Sequence, residues 1–238
     1  MARSGTLYLI PSSLGPGDVT QILPVRTLAV VTGLTAFVAE NPRTARGFLK
    51  AAGYPRPLQD VEFKVLDEHT RPEGLAALLQ PLLEGTDCGL LSEAGCPAVA
   101  DPGAALVRLA QRHGIRVVPL VGPSSILLAL MASGLDGQRF SFHGYLPVEA
   151  TARRKALLEL ERASERERRT QIFIEAPYRN AQLVQAILGA CRGSTLLCLA
   201  TDLTLETESV QTRAVAAWKA HPAPPVARRP TVFLLYRE

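Results

Sequence analysis

Cys88-Gly89-Leu90-Leu91-Ser92-Glu93-Ala94-Gly95-Cys96-Pro97, followed by Ala100-Asp101-Pro102-Gly103, is the stretch from which the fold is read. Four apolar or small residues form a buried strand and then give way to a long loop of small residues. Asp101 caps the helix that follows, with Pro102 at its first position. The periodicity predicts a helix from Gly103 to His113 and a further strand from Arg116 to Leu120. A strand, helix and strand in that order make a parallel crossover, and the same rhythm runs back toward the N-terminus. Thr6 to Ile10, Thr35 to Ala39 and Glu62 to Leu66 read as strands, the last alternating apolar and charged as an edge strand does. Pro42 to Ala52 and Arg71 to Glu84 read as helices, with Leu75, Leu78, Leu79 and Leu82 at core spacing. The alternation predicts a parallel sheet covered by helices on both faces.

Beyond Gly122-Pro123 the rhythm restarts. An apolar helix from Ser124 to Ala132 precedes a strand at Arg139 to His143, and a charged helix spans Ala150 to Arg169 as a solvated face with i,i+4 pairs. Thr170 to Glu175 and Thr195 to Thr201 are predicted strands flanking a helix from Tyr178 to Cys191. Glu206 to Thr212 and Thr231 to Tyr236 read as strands with no helical pattern between them, which predicts a mixed sheet. His221 to Pro230, with four prolines, reads as an ordered loop. The expected architecture is two α/β domains, 1–122 with a parallel sheet and 123–238 with a mixed one.

Length and composition agree. The 238 residues, 47% apolar and 20% charged, suffice for sizeable cores and exclude a mainly disordered chain. The longest uncharged stretch, Val117 to Leu135, is broken by Pro119, Gly122, Pro123 and Gly134, so no membrane span is expected. Leu7 to Ile10 is too short for the apolar core of a signal peptide, and a cytoplasmic protein is expected. Cys88, Cys96, Cys191 and Cys198 show no Cys-x-x-Cys spacing and no histidine cluster, which predicts reduced thiols and no metal. The net charge of +4 lies wholly in the second half: 11 basic and 11 acidic side chains up to Gly122, then 15 and 11. Twenty-two of the 26 basic residues are arginine, the side chain that forks onto phosphate, although a base-rich genome would also favour it.

In open parallel sheets ligands bind at the carboxyl ends of strands, so the chemistry is sought in the loops there. Pro11-Ser12-Ser13-Leu14-Gly15-Pro16-Gly17-Asp18 lets a backbone pass close to a ligand, but lacks the spacing and lysine of a phosphate-binding P-loop. Cys96 has no histidine in a comparable loop, which argues against a thiol nucleophile. Gly122-Pro123-Ser124-Ser125 opens a helix without the elbow of an α/β-hydrolase.

Taken together these loops resemble the tetrapyrrole-methylase-type S-adenosylmethionine methyltransferases. Within them the chain is most similar to the branch that methylates a cytidine ribose 2′-hydroxyl of small-subunit ribosomal RNA. The resemblance runs from Gly5 to about Glu208. It is carried by Gly5-Thr6-Leu7-Tyr8, Gly15-Pro16-Gly17-Asp18, Ala39-Glu40-Asn41-Pro42-Arg43-Thr44 and Asp67-Glu68-His69. Ser92-Glu93-Ala94-Gly95-Cys96-Pro97, Val118-Pro119-Leu120-Val121-Gly122-Pro123-Ser124, Arg139-Phe140 and Gly144-Tyr145-Leu146-Pro147 belong to the set, as do Ile174-Glu175-Ala176-Pro177-Tyr178-Arg179 and Asp202-Leu203-Thr204. The chain departs from the RNA branch at Asn41, where an aspartate is usual, and at Glu93, where the usual run is Ser-Asp-Ala-Gly.

The resemblance implies that S-adenosylmethionine lies in a cleft between the two domains. Its contacts, carried over by position, would be Leu14, Gly15, Pro16, Glu93, Ala94, Gly95, Cys96, Ser125 and Ile126, with Glu175, Ala176, Thr201, Pro230 and Thr231 from the second domain. It also implies a homodimer. A ribose hydroxyl is a weak acid, and Glu40 and His69 are the candidate bases. Arg43 and Arg179 each follow a proline at a helix start, where they would reach an RNA phosphate; ion pairing or plain solvation is the alternative. Three readings stay open: an RNA methyltransferase, a methyltransferase for a small tetrapyrrole-like molecule, and a cofactor-binding protein without turnover. The small-molecule subgroup would carry an acidic Gly-Gly-Asp-Pro loop where this chain has Glu93-Ala94-Gly95. Transfer to RNA, transfer to a small acceptor, or binding alone separates the three.

Overall fold

The structure, a computed structural model, describes residues 4–221 and 225–238. The loop expected from His221 to Pro230 therefore falls partly, at 222–224, outside the described residues. The chain divides into two compact units, Met1–Ser124 and Ser125–Glu238.

The first unit is a five-stranded parallel sheet ordered β3-β2-β4-β1-β5. The strands are β1 (Thr6–Ile10), β2 (Ala36–Ala39), β3 (Glu62–Val65), β4 (Cys88–Leu91) and β5 (Arg116–Pro119). Both faces are buried, and the strands show it residue by residue. Ile10, Phe37, Ala39 and Leu91 enter one apolar cluster, while Leu7, Ala36, Val38, Cys88 and Leu90 enter the other. Helices α4 (Pro72–Leu83) and α5 (Gly103–Arg112) cover the second face with Leu78, Leu79, Leu82, Leu106 and Ala110. The first face is closed by α3 (Pro42–Ala51) and by two helices for which no expectation was formed, α1 (Val19–Ile22) and α2 (Val25–Gly33). The segment of α2 is rich in valine and threonine, which weakens its helical signature. It is held as a helix by burial of Val31 and by Thr27, whose hydroxyl donates to the Val121 carbonyl at 2.8 Å.

In the second unit the sheet order is β6-β7-β10-β8-β9, with β6 (Phe140–Tyr145) parallel to β7 (Thr170–Ile174) and the other pairs antiparallel. The mixed sheet is as expected. Strands β8 (Leu196–Thr201), β9 (Ser209–Ala214) and β10 (Thr231–Tyr236) complete it. Helix α6 (Ser125–Ser133) packs on β8, β9 and β10, and the Thr212 hydroxyl donates to the Ser133 carbonyl at 2.7 Å. Helices α7 (Ala150–Glu167) and α8 (Asn180–Ala190) enclose a core of Leu157, Phe173, Leu183, Ile187 and Phe233.

One expectation is corrected here. Residues between β9 and β10 do include a helix, α9 (Val215–Ala220). Six residues are too few to show a period. The helix stands because Trp218 is buried in the core, donates its indole N–H to the Leu197 carbonyl at 2.9 Å, and lies under the Arg213 guanidinium. Among the described residues no helix is long and apolar enough to cross a membrane.

Candidate functional site

All five strands of the first sheet point the same way, so their carboxyl ends share one edge. β1 is flanked by β4 and β5, and the chain crosses over it between those two strands. That is the crevice where open α/β sheets take their ligands. The loops there are tied to one another. Ser12 and Gly95 exchange two backbone hydrogen bonds of 2.9 and 3.1 Å, Ser12 Oγ donates to the Ser92 carbonyl, and Ser92 Oγ donates to the Gly95 carbonyl. Gly95 has φ +70°, and a Cβ there would stand 3.3 Å from Leu14 Cδ2 and 3.7 Å from the Pro123 carbonyl. Cys96 Sγ lies 3.4 Å from the same carbonyl. Three loops thus meet at one glycine, which brings together Leu14, Gly95 and Cys96 of the expected contacts. Glu93 and Ala94 are exposed beside them, as is Pro16, and Gly15 is half-buried.

The turn past Cys96 is held against its own preference. Ala98 and Ala100 adopt φ of 65° and 57°, a region that costs non-glycine residues roughly 1–2 kcal/mol each. Asp101 Oδ1 stabilises it by accepting from Ala98 N at 2.9 Å and Gly103 N at 2.6 Å, although α5 begins one residue later than the expected Pro102, with Pro102 and not Asp101 at the N-cap position. Burial pushes the Cys96 thiol up, away from thiolate chemistry, and does the same to Cys88 and Cys191, both to about 12.

Glu40 ends β2 at the same edge. Burial, and then the charges of Glu93, Asp101, Glu68 and Asp67, push its carboxyl above the ordinary value of 4.5. Five carboxylates from three loops therefore share this end of the unit. His69 is drawn elsewhere: its side chain is 84% exposed, with exposed Glu68 at 3.5 Å, while Asp67 spends its carboxylate on Thr70 and the His69 amide. Asn41 caps α3 by accepting from Arg43 N at 2.9 Å, so this departure from the family pattern keeps a helix-capping side chain. Arg43 itself is exposed.

In the second unit the expected residues also gather at one sheet edge. Thr231 pairs with Thr201, their hydroxyls 3.1 Å apart, and the Pro230 carbonyl accepts from Asp202 N at 2.9 Å. Val232 pairs with Ile174, which places Glu175 beside Thr231. Glu175 is 4% exposed. Its Oε1 accepts from Ala176 N at 2.7 Å and from Arg179 Nε and Nη2 at 2.9 and 2.6 Å, while its Oε2 is buried without a partner. Arg179 also donates from Nη1 to the Tyr178 hydroxyl at 2.9 Å. Ser125 and Ile126 open α6 and are half-buried.

Sequence reasoning named candidate contact residues but missed those that set them in place. Ser12 and Ser92 were inside quoted motifs, yet only the structure shows that they tie the loops. The Arg229–Asp202 ion pair, 2.8 Å, which steadies the entrance to β10, had no sequence signal. Among the described residues no group of three or more His, Cys, Asp or Glu side chains could hold a metal ion.

Comparisons with known proteins add the family. Residues 6–217 match the family described as Tetrapyrrole (Corrin/Porphyrin) Methylases. A protein named Ribosomal RNA small subunit methyltransferase I from Vibrio cholerae is 34% identical over 206 residues, covering 86% of this chain and 67% of the relative. Proteins of the same name from Escherichia coli O157:H7 and Micromonospora olivasterospora are 35% and 36% identical, covering 87% of this chain and 68% and 62% of themselves. Among solved structures, the methyltransferase CobJ has a TM-score of 0.64 at 19% identity, covering 98% of this chain and 95% of its own. Uroporphyrin III C-methyl transferase from Thermus thermophilus has a TM-score of 0.57 at 18% identity, with 98% of each chain covered. At such identities the likeness establishes the fold.

Two expected outcomes follow from the carboxylates. Ionising Glu40 is harder in the folded chain than in the unfolded one, so stability falls as pH rises from about 4.5 through the raised folded value. Glu40→Gln should therefore melt above wild type at neutral pH and level with it in acid below that window; an equal difference at both pH values would refute the repulsion. Arg179→Ala should lower the melting temperature by stranding a buried carboxylate, and Glu175→Gln in the same chain should restore much of the loss. No recovery in the double variant would show that the guanidinium acts elsewhere.

Proposed function

The chain belongs to the tetrapyrrole methylase family and is an S-adenosylmethionine-dependent methyltransferase; from that premise we propose that its acceptor is small-subunit ribosomal RNA, at a cytidine ribose 2′-hydroxyl. The observation that carries the substrate is the 34–36% identity, across some 86–87% of this chain, to proteins named Ribosomal RNA small subunit methyltransferase I in three different bacteria; the cytidine ribose hydroxyl rests on the motif resemblance.

When bound, S-adenosylmethionine supplies an electrophilic methyl group on a sulfonium. The residues present suit such a ligand. Glu175 Oε2 is a buried acceptor in want of a donor, and the cofactor carries amino groups. The exposed Glu93 carboxylate and the small residues Ala94 and Gly95 offer acceptors and close backbone approach to a cation. In this proposal Leu14, Gly15, Pro16, Glu93, Ala94, Gly95 and Cys96 of the first unit hold the cofactor. Ser125, Ile126, Glu175, Ala176, Thr201, Pro230 and Thr231 of the second contribute as well.

Methyl transfer by in-line displacement needs no covalent enzyme intermediate, so the protein's work is to align the acceptor hydroxyl and take its proton. Glu40 is the preferred base, since its carboxyl is surrounded by negative charge and holds a proton more readily than an ordinary carboxylate. His69, open to solvent, is the alternative. Arg43 meets an RNA phosphate, whereas Arg179 takes the ion-pairing alternative and stays with the buried Glu175 carboxylate. The active species is a homodimer, which light scattering would contradict by a monomer mass.

Small ribosomal subunits from a strain lacking this gene, incubated with the protein and labelled cofactor, should gain an alkali-resistant 2′-O-methyl cytidine. The rate should rise with pH through the Glu40 ionisation and fall roughly 10²–10⁴-fold in Glu40→Gln but not in His69→Gln. Label in a small-molecule fraction alone would overturn the RNA assignment, and a larger loss in His69→Gln would transfer the base to that residue.

A further inference from the structure

The edge of the second sheet opposite the Glu175 edge is lined with arginine. Phe140 pairs with Thr170 and Leu235 with Gln171, so Arg139, Arg169 and Arg237 stand side by side where β6, β7 and β10 leave the sheet. Neighbouring strands are roughly 5 Å apart, so the three residues are adjacent along the backbone, Arg139 reaching into solvent and Arg237 lying against Glu165. The row is fixed by backbone bonds. Thr170 N donates to the Arg139 carbonyl at 2.8 Å, while the buried Ser164 hydroxyl donates to the Arg169 carbonyl and accepts from Arg237 N, each at 2.9 Å. Helix α7 ends beside it in Arg166-Glu167-Arg168-Arg169, with Arg168 in the left-handed region at φ 46°, where a glycine would be expected.

The carboxylates nearby do not use up these cations. Glu167 pairs with Arg166 and Arg169, Asp136 lies 3.9 Å from Arg139, and Glu165 lies 3.1 Å from Arg237 and 3.9 Å from Arg192; Glu238 is exposed. Even so, Arg169 Nε and Arg237 Nη1 are buried with no acceptor. The carboxylates thus leave donor capacity on these side chains, and phosphate is an anion that a guanidinium fork takes. Arg139, Arg169, Gln138, Phe140 and Glu167 also line a cavity of about 440 Å³. Phe140 is 39% exposed, so an aromatic face lies open beside the guanidinium groups. Phosphate on an arginine fork with a base stacked on an aromatic ring is how proteins hold single-stranded RNA.

We propose that this arginine row, with Phe140, is a docking site for the sugar-phosphate backbone of a single-stranded RNA segment flanking the methylated nucleotide. The proposal rests on the RNA reading above and adds where that RNA is gripped. Strands β6 and β7 are six and five residues long, which puts the row about 15–20 Å from the Tyr145 and Glu175 edge of the same sheet. The contact therefore positions the substrate at a distance from the reacting hydroxyl and takes no part in the chemistry.

Binding of a fluorescent oligouridylate, followed by anisotropy across a salt series, tests it on the whole chain. Arg139→Ala/Arg169→Ala should weaken binding and flatten the slope of log affinity against log salt by roughly 1.4, about 0.7 for each lost phosphate contact on a single strand. Arg139→Lys/Arg169→Lys should keep most of the slope, Phe140→Leu should lower affinity at least roughly fivefold, and affinity for S-adenosylmethionine should not change in any of them. If the double alanine variant fails to fold, the exposed Arg139→Gln alone should flatten the slope by about half as much. An unchanged slope in a folded variant, or competition by inorganic phosphate or an acidic peptide as effective as by RNA, overturns the proposal. If wild type methylates small-subunit RNA and the variants keep its slope, the docking site fails and the function stands; if wild type neither binds nor methylates RNA, both fall.

Discussion

The two backbone hydrogen bonds between Ser12 and Gly95 are the constraint on which the first unit's ligand end depends. They form an isolated antiparallel bridge beyond the parallel pairing of β1 with β4, so the loops that leave those two strands are tied to each other. Only a residue tolerant of positive φ can close that bridge, and the absence of a side chain on Gly95 leaves room for Leu14 and the Pro123 carbonyl. Gly122 extends the arrangement to the third loop. A Cβ there would stand 2.5 and 2.7 Å from the Pro11 ring, so the β5 loop can lie against the end of β1 only because residue 122 is glycine. The loop pattern that points to a methyltransferase is thus first a packing requirement.

Most of the fold was legible because it is written in local patterns. The strands of the first sheet are short apolar runs ended by proline, glycine or charge, and both of their faces are buried, so each is uniformly apolar where it is central. Failures occur where the reason for a helix lies elsewhere in the chain. α2 depends on the Thr27 bond to Val121, 94 positions away, and α9 on the bond from Trp218 to Leu197. The candidate site divides the same way. Glu93-Ala94-Gly95 and Glu175-Ala176 announce themselves as motifs. The acidic surroundings of Glu40 do not, since its neighbours come from the loops after β3 and β4. Nor does the arginine row, whose members are 30 and 68 positions from Arg169 and become neighbours only through strand register.

Arg179 shows why a residue type in a suggestive place is a weak warrant for a role. At a helix start after proline it invites a phosphate, yet two of its three nitrogens are committed to the buried Glu175 carboxylate four residues earlier, and the third to Tyr178. A carboxylate that is 4% exposed needs that counter-charge more than a passing phosphate does. Arg139 is 61% exposed in its side chain and has only a long contact to Asp136, so it offers its charge outward at much lower cost. Charge placement within the second unit therefore favours different tasks for arginines at its two sheet edges.

The first unit is balanced in charge overall and the second carries the +4 excess, but the first unit's carboxylates are gathered at its loop end. Glu40, Asp67, Glu68, Glu93 and Asp101 make the loop end of the first unit negative, which favours a cationic cofactor over a neutral one. A bound cation would relieve the repulsion among these carboxylates, and Glu40, acting as the proposed base, would relieve it by taking up a proton. Such an end is hostile to a polyanion, and the Coulomb cost of bringing phosphates close to five carboxylates is large unless they are neutralised elsewhere. The whole excess of positive charge lies in the second unit, so a polyanion finds its favourable field there and not at the acidic loops of the first.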